Sequence, residues 1–369
     1  MKISKNDILI IIPLCSLIIL GLIMVTSSSI YIAEDMTSNP FYFAQRQSFF
    51  LAIGIIVLLA FLLIPSEFLY KTDWIFMLMS ILLLVALFLP DVGTSVNGSI
   101  RWIRIGPINI QPSEICKLSL ILYISGYSVR RMSEINSLRS FLKPLILLFI
   151  ISVLIMGQPD HGSTAIICIL VVGILFYAGI SFFQLVLLSL LIVLLGYLAI
   201  STSPMRLARV LAFTDPFAID VVQNAGWQLS NSLISIGQGG WLGVGLGNSF
   251  QKSFFLPEAH TDFIFAILIE ELGILGGLIL ISLYVTLFIG LLSIAFDSFK
   301  KNRLFQGYTI FGIFLLVVIQ VFFNIAVNIG LLPTKGLTLP FISYGGTSII
   351  IMLSLMGIVL RINNENKLL

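Results

Sequence analysis

The stretch FIFAILIEELGILGGLILISLYVTLFIGLLSIA, Phe263 to Ala295, is an apolar run whose only charges are Glu270 and Glu271. A bilayer core takes about 20 apolar residues per helix, and this run is long enough to cross it. Similar runs, bounded by Pro, Gly or charge clusters, predict further spans at Ile8 to Val25, Phe49 to Ile64, Trp74 to Leu89, Pro112 to Val129, Pro144 to Met156, Thr164 to Ile180, Phe183 to Ile200, Tyr308 to Ile329 and Leu339 to Leu360. The chain is 58% hydrophobic and 10% charged, against roughly 25% charged for a soluble domain. The reading is an all-α integral membrane protein, a polytopic bundle of about ten transmembrane helices forming one domain over residues 1–369.

The first run follows Lys2, Lys5 and Asp7 and is read as a retained helix, because no small-residue cleavage site follows it. With the N-terminus inside, twelve of the twenty Lys and Arg residues fall on the cytoplasmic side, which places both termini there. The other eight, Arg46, Arg101, Arg104, Lys117, Arg206, Arg209, Lys252 and Lys335, lie at or beyond the outer face with Asp91, Asp160, Asp215, Glu258 and Asp262. Polar chemistry concentrates outside. A net charge of +3 spread in this way reports topology and no nucleic-acid partner. Cys15, Cys116 and Cys168 lie in or beside apolar runs without pairing or metal spacing, and buried thiols are expected.

Residues 201–261 form a long outer loop, and loops of that length are usually functional or disordered. In it, GWQLSNSLISIG (Gly226–Gly237) mixes Trp227, Leu229, Leu233, Ile234 and Ile236 with Ser and Asn, which suits a helix lying in the membrane interface. GQGGWLGVGLGN (Gly237–Asn248) superficially matches a dinucleotide fingerprint, but no strand precedes it.

The loop ends in PEAHTDF, where Glu258, His260 and Asp262 meet the start of the long span. Asp262 suits a helix N-cap, which would lower its pKa; it equally suits a general base for a hydroxyl substrate, and both roles can hold together. At about 100° per residue Glu270 falls some 80° around the helix from Asp262, toward the same cavity, while Glu271 points away and suits an internal ion pair. SIRWIRIGPINIQPSEICK (Ser99–Lys117) offers Arg101 and Arg104, then Glu114 and Lys117 three residues apart. That pair can be structural, or Lys117 and the arginines can bind a lipid-linked anion such as a phosphate. GQPDHGST (Gly157–Thr164) reads as a capped turn carrying Gln158, Asp160 and His161. A metal would need both histidines to approach Asp160 or Asp262, and no ligand spacing supports one. In LLPTKGLTLPFISYGGTS (Leu331–Ser348), Lys335 occupies an outer turn and Gly345 and Gly346 permit close helix approach or a break that admits substrate.

Taken together, HTDFIFAILIEELG, GSIRWIRIG with IQPSE, GQPDHGST and LPTKGLTLPFISYGGTS resemble the SEDS family of bacterial cell-wall polymerases over nearly the whole chain. IMVTSSS, NPFYFAQR and LPEAHTDFIFAI resemble its division branch more than its elongation branch. The resemblance implies a peptidoglycan glycosyltransferase that joins lipid II units at the outer face of the bacterial cytoplasmic (inner) membrane, at the division septum. By motif matching it makes Asp262 the essential aspartate and puts Arg101, Glu114, Lys117, Glu258 and Lys335 in the substrate cavity; His260 and Glu270 join them as candidate substrate-binding residues. Asp262 would deprotonate the acceptor 4-hydroxyl, and the product would be inverted. Arg101, Lys117 or Lys335 would stabilise the pyrophosphate; a divalent cation, magnesium or manganese, stays open as a cofactor. Implied partners are a class B penicillin-binding protein transpeptidase and other division membrane proteins. The alternatives are an elongation-type polymerase, a scaffold that recruits the transpeptidase, and a lipid II transporter whose path Glu270, Glu271 and Lys117 would line.

Overall fold

The computed structural model describes residues 4–96, 99–106, 108–134, 137–201, 204–218, 222, 224 and 226–368. Lys2 and parts of the 201–261 loop lie outside them, as do the side chains of Arg206 and Arg209.

Each of the ten expected spans falls on a helix: α1 (Lys5–Thr37), α2 (Tyr42–Leu63), α3 (Ser66–Ala86), α4 (Pro112–Arg130), α5 (Leu138–Met156), α6 (His161–Tyr177), α7 (Phe182–Ser201), then, after α8 (Pro204–Thr214) and α9 (Trp227–Gly239), α10 (Ile264–Lys300), α11 (Leu304–Asn328) and α12 (Gly346–Lys367). Among the described residues, six of these, α1, α2, α3, α10, α11 and α12, are long and apolar enough to cross a membrane, with shorter apolar helices at 140–156, 161–177 and 182–194. Helix α4 carries Glu114, Lys117 and several serines and is buried on almost every face. It is the polar axis of the bundle, shielded by α3, α6, α11 and α12. Elsewhere α2 lies along α12, and α10 packs between α1 and α11.

Five features correct these expectations or add to them. First, the loop before α4 carries strands that an all-α reading leaves out: β1 (Gly93–Val96), β2 (Ser99–Ile105) and β3 (Ile108–Ile110) form an antiparallel sheet. The β-branched residues of SIRWIRI favour it, and too few residues are involved for a clean alternation to be read. Second, the last span starts seven residues late, at Gly346, because Leu339–Gly345 folds into turns in which Ser343 Oγ accepts the Leu339 N–H at 2.8 Å.

Third, the helix predicted in Gly226–Gly237 forms as α9 and turns mostly small polar residues inward, leaving Ile234 exposed. Its buried face is Leu229, Ser230, Asn231, Ser232, Ser235 and Gly239, laid against α10. Small polar residues let the backbones approach, as membrane helices often require. Fourth, Cys15 is exposed, on the outward face of α1; an apolar environment there is lipid rather than core.

Fifth, the glycine-rich segment has a backbone role. Helix α10 is broken at Gly273 (φ 70°, ψ −175°), which frees peptide groups that lipid cannot satisfy. The loop supplies them: Val244 and Gly245 N–H donate to the Glu270 and Glu271 carbonyls at 2.9 and 3.1 Å, and the Gly240 and Trp241 carbonyls accept from Ile274 and Leu275 N–H at 2.9 and 3.2 Å. A Cβ on Gly243 would stand 2.1 Å from the Glu271 carbonyl oxygen, so only glycine admits this approach.

Candidate functional site

Helix α10 begins at Ile264 with Phe263 as its N-cap residue and no side-chain cap, so Asp262 is not a cap. No described residue donates a hydrogen bond to its carboxylate. The backbone is fixed instead: its carbonyl accepts from Asn324 Nδ2 at 2.8 Å and Asn328 Nδ2 at 3.0 Å, both from α11. The turn holding Asp262 is clasped to the α11–α12 connection, where Ser343 Oγ donates to the Thr261 carbonyl at 2.6 Å and Tyr344 N–H to the His260 carbonyl at 2.9 Å.

The Asp262 side chain keeps part of its surface accessible while protein surrounds it. Burial, reinforced by the negative charges of Glu258 and Asp160 and opposed by Arg101, pushes its pKa up to about 8. The expected lowering by a capping bond is reversed, because the bond is not made.

Other groups converge here from separate elements. Arg101 projects from β2, donates to the Pro159 carbonyl and lies 3.9 Å from Asp160. Asp160 caps α6, accepting from Ser163 N–H and Oγ at 3.1 and 2.7 Å and from Gln111 Nε2 at 3.3 Å; the capped-turn reading of this loop holds alongside its place in the cluster. Glu258, in a left-handed conformation (φ 57°), accepts from Thr261 Oγ1 at 2.6 Å. The turn carrying Lys335 covers Asp262: a Cβ on Gly336 would lie 2.9 Å from Asp262 Oδ2.

Other candidates lie apart. His260 is buried against Phe43, with ring centroids 4.5 Å apart, and near Tyr344; its Nδ1 has no partner among the described residues, and burial lowers its pKa against the pull of Glu258. A neutral packing residue results. Arg104 is exposed on β2. Glu114 and Lys117 are buried and paired at 2.6 Å, and Glu114 Oε2 is left without a partner among the described residues.

Glu270 does not face this cluster. Its carboxylate is enclosed by Ser235 Oγ (2.6 Å), Ser249 Oγ (2.7 Å), Phe250 N–H (2.7 Å) and Gln251 N–H (3.3 Å), all from the α9 helix and the loop that heals the α10 break. Glu271 is the internal ion pair expected of it: Lys252 Nζ lies 2.7 Å away, and Ser27 Oγ of α1 donates to it at 2.7 Å. With Glu270, Glu271 and Lys117 each satisfied locally, the charges that would line a transporter path are taken up by structure.

Asn324, Asn328, Gln111 and Ser343 were not singled out in the sequence. For the asparagines a signal exists: FFNIAVNIG places two amides four residues apart, on one face of an otherwise apolar span.

The profile of the FtsW/RodA/SpoVE family, described as "Cell cycle protein", matches residues 7–368. The chain is 43% identical over 353 residues to the probable peptidoglycan glycosyltransferase FtsW of Legionella pneumophila (95% of this chain, 89% of that one). It is 42% identical over 366 residues to its counterpart in Francisella salina (98% and 90%). Among solved structures, a chain of a peptidoglycan synthase complex superposes with TM-score 0.77 at 24% identity (96% and 97% covered). The rod shape determining protein RodA of Thermus thermophilus superposes with TM-score 0.70, also at 24% identity (96% of each); both likenesses concern the fold.

Proposed function

We propose, for a chain that belongs to the FtsW/RodA/SpoVE family of cell cycle proteins, that Asp262 is the general base of the reaction. The chain is a peptidoglycan glycosyltransferase of the FtsW type. Its substrate, on this proposal, is lipid II as both donor and acceptor, met at the outer face of the bacterial inner membrane at the septum, with both termini cytoplasmic. Charge asymmetry along the sequence supports that orientation. A class B penicillin-binding protein and other division proteins are the proposed partners.

One observation carries the base assignment: a carboxylate without hydrogen-bond donors among the described residues, its pKa pushed up to about 8, at the end of a helix beside Arg101 and under the Lys335 turn. A base is most effective when its pKa lies near the working pH. Asp262 takes the proton from the acceptor 4-hydroxyl as that oxygen attacks the donor anomeric carbon. The bond from that carbon to the phosphate oxygen breaks, and its electron pair leaves with undecaprenyl pyrophosphate. One displacement converts an α-linked donor into a β-linked product. Arg101 and Lys335 are the cations proposed to meet the developing pyrophosphate charge, with Lys117 behind them in its pair with Glu114. Among the described residues no three His, Cys, Asp or Glu side chains are grouped so as to hold a metal ion by themselves. Magnesium or manganese can be held by one or two carboxylates together with substrate phosphates, so the divalent cation stays open as the resemblance left it, and no step passes through it.

Purified protein with its transpeptidase partner, supplied with labelled lipid II, tests the reading. Asp262→Asn is expected to abolish glycan chains; chains of normal length from that variant would remove Asp262 as the base.

A further inference from the structure

Amides inside an apolar helix are costly unless something uses them. Helix α11 holds three that are buried, Gln320, Asn324 and Asn328, each one turn from the next, and the two asparagines reach the Asp262 turn. Asn324 Nδ2 donates to two carbonyls at once, Asp262 at 2.8 Å and Leu337 at 2.6 Å. Asn328 Nδ2 donates to Asp262 at 3.0 Å and to the Asn324 carbonyl at 2.8 Å, while its Oδ1 accepts the Ala266 N–H at 3.1 Å in the first turn of α10. Ser232 of α9 donates in turn to the Asn328 carbonyl at 2.9 Å. The side-chain amides are not needed to cap α11, because its own turn meets the Ile325, Ala326 and Val327 carbonyls and Ser232 meets that of Asn328.

The two carbonyls gripped by Asn324 belong to the two segments that must keep register for the chemistry. One is the turn carrying Asp262; the other is the connection two residues beyond Lys335. We propose that Asn324 and Asn328 form a positioning clamp that holds Asp262 and the Lys335–Leu337 turn in fixed relation, so that the base and the cationic cover face one substrate. This rests on the reading of Asp262 as the base. The clamp touches only backbone groups of the two segments, so it sets where the Asp262 carboxyl points without contacting it. Misplacing a reacting group by about 1 Å can cost on the order of a hundredfold in rate.

The test is steady-state polymerisation of labelled lipid II by the full chain with its partner, as a function of pH, for Asn324→Ala. Expected are a turnover about a hundredfold below the parent, a smaller change in KM, and a displaced pH–rate midpoint. The midpoint moves because Asp262 shifts relative to Glu258 on its own turn, Arg101 on β2, Asp160 at the α6 cap and the Lys335 turn above it. Partial unfolding alone would lower the amplitude and leave the midpoint unmoved, and that result overturns the proposal. Where Asn324→Ala is not recovered folded, Asn324→Leu keeps the size and branching while removing the donor without adding a charge, and is held to the same outcomes. Gln320→Leu, one turn earlier and without an Asp262 contact, should stay within about threefold of the parent; a loss equal to that of Asn324→Ala would overturn the clamp by showing that buried amides on α11 matter generally. Asp262→Asn separates the two levels: glycan chains from that variant defeat the base assignment itself, whereas their absence, beside a fully active Asn324→Ala, defeats the clamp alone.

Discussion

Replacing Gly273 by alanine tests how the broken helix is held. The residue sits at φ 70°, ψ −175°, a region that residues with a Cβ rarely enter, and forcing one there costs about 1–3 kcal/mol. The new methyl would also stand 2.3 Å from the Trp241 carbonyl oxygen and 2.5 Å from the Gly243 nitrogen, both backbone atoms that cannot swing aside. Relief requires the loop to lift, which breaks the bonds from Ile274 and Leu275 N–H to Gly240 and Trp241. At about 1 kcal/mol net for each, the total for Gly273→Ala is about 4 kcal/mol. Gly247→Ala is the control, because φ is 85° there but no atom lies within 4 Å of the added Cβ; strain alone predicts about 1–2 kcal/mol. Chemical denaturation in detergent, with limited proteolysis of residues 240–250, reads both variants. Equal stability for the two, or an intact loop in Gly273→Ala, would refute the claim that this loop heals the break.

Two further outcomes follow from buried charge. Lys252→Met or Glu271→Gln alone should each cost about 3–5 kcal/mol by stranding the partner, whereas the double variant should cost clearly less than the sum; additive losses in the double-mutant cycle would argue against a coupled pair. Asp262→Asn should stabilise the protein while inactivating it. The folded carboxyl has a pKa of about 8 against an ordinary 3.8, so the native state holds its proton more tightly. Stability from that proton is complete below about pH 4 and is lost as pH rises toward 8, at about 1.4 kcal/mol per unit, or about 4 kcal/mol by pH 7. The melting gain of Asp262→Asn in detergent should therefore be large at pH 8 and vanish near pH 4, and a gain independent of pH would contradict it.

The membrane fold was legible because apolar runs must be helical in lipid. What escaped was non-local. Glu271 could be read as half of an ion pair, but its partner Lys252 reaches it from a loop and counted among the outer-face cations. Glu270 shares its helix with Asp262, yet the helix breaks at Gly273 and a returning loop encloses the carboxylate, which angular spacing along one helix does not foresee. Asp262 itself was legible as either cap or base, and the cap reading fell because the helix starts one residue past its reach. The asparagines carry no charge to mark them in the sequence, although an amide in an apolar span is nearly as informative as a charge.

The central claim, that Asp262 accepts the acceptor's proton, is tested most directly by the pH–rate profile of glycan polymerisation by the parent protein with its partner on labelled lipid II. The account predicts a rate that climbs about tenfold per unit below a midpoint near 8 and then levels, as the Asp262 carboxyl loses its proton. A profile that is flat from pH 6 to 9, or that falls across that range, contradicts it.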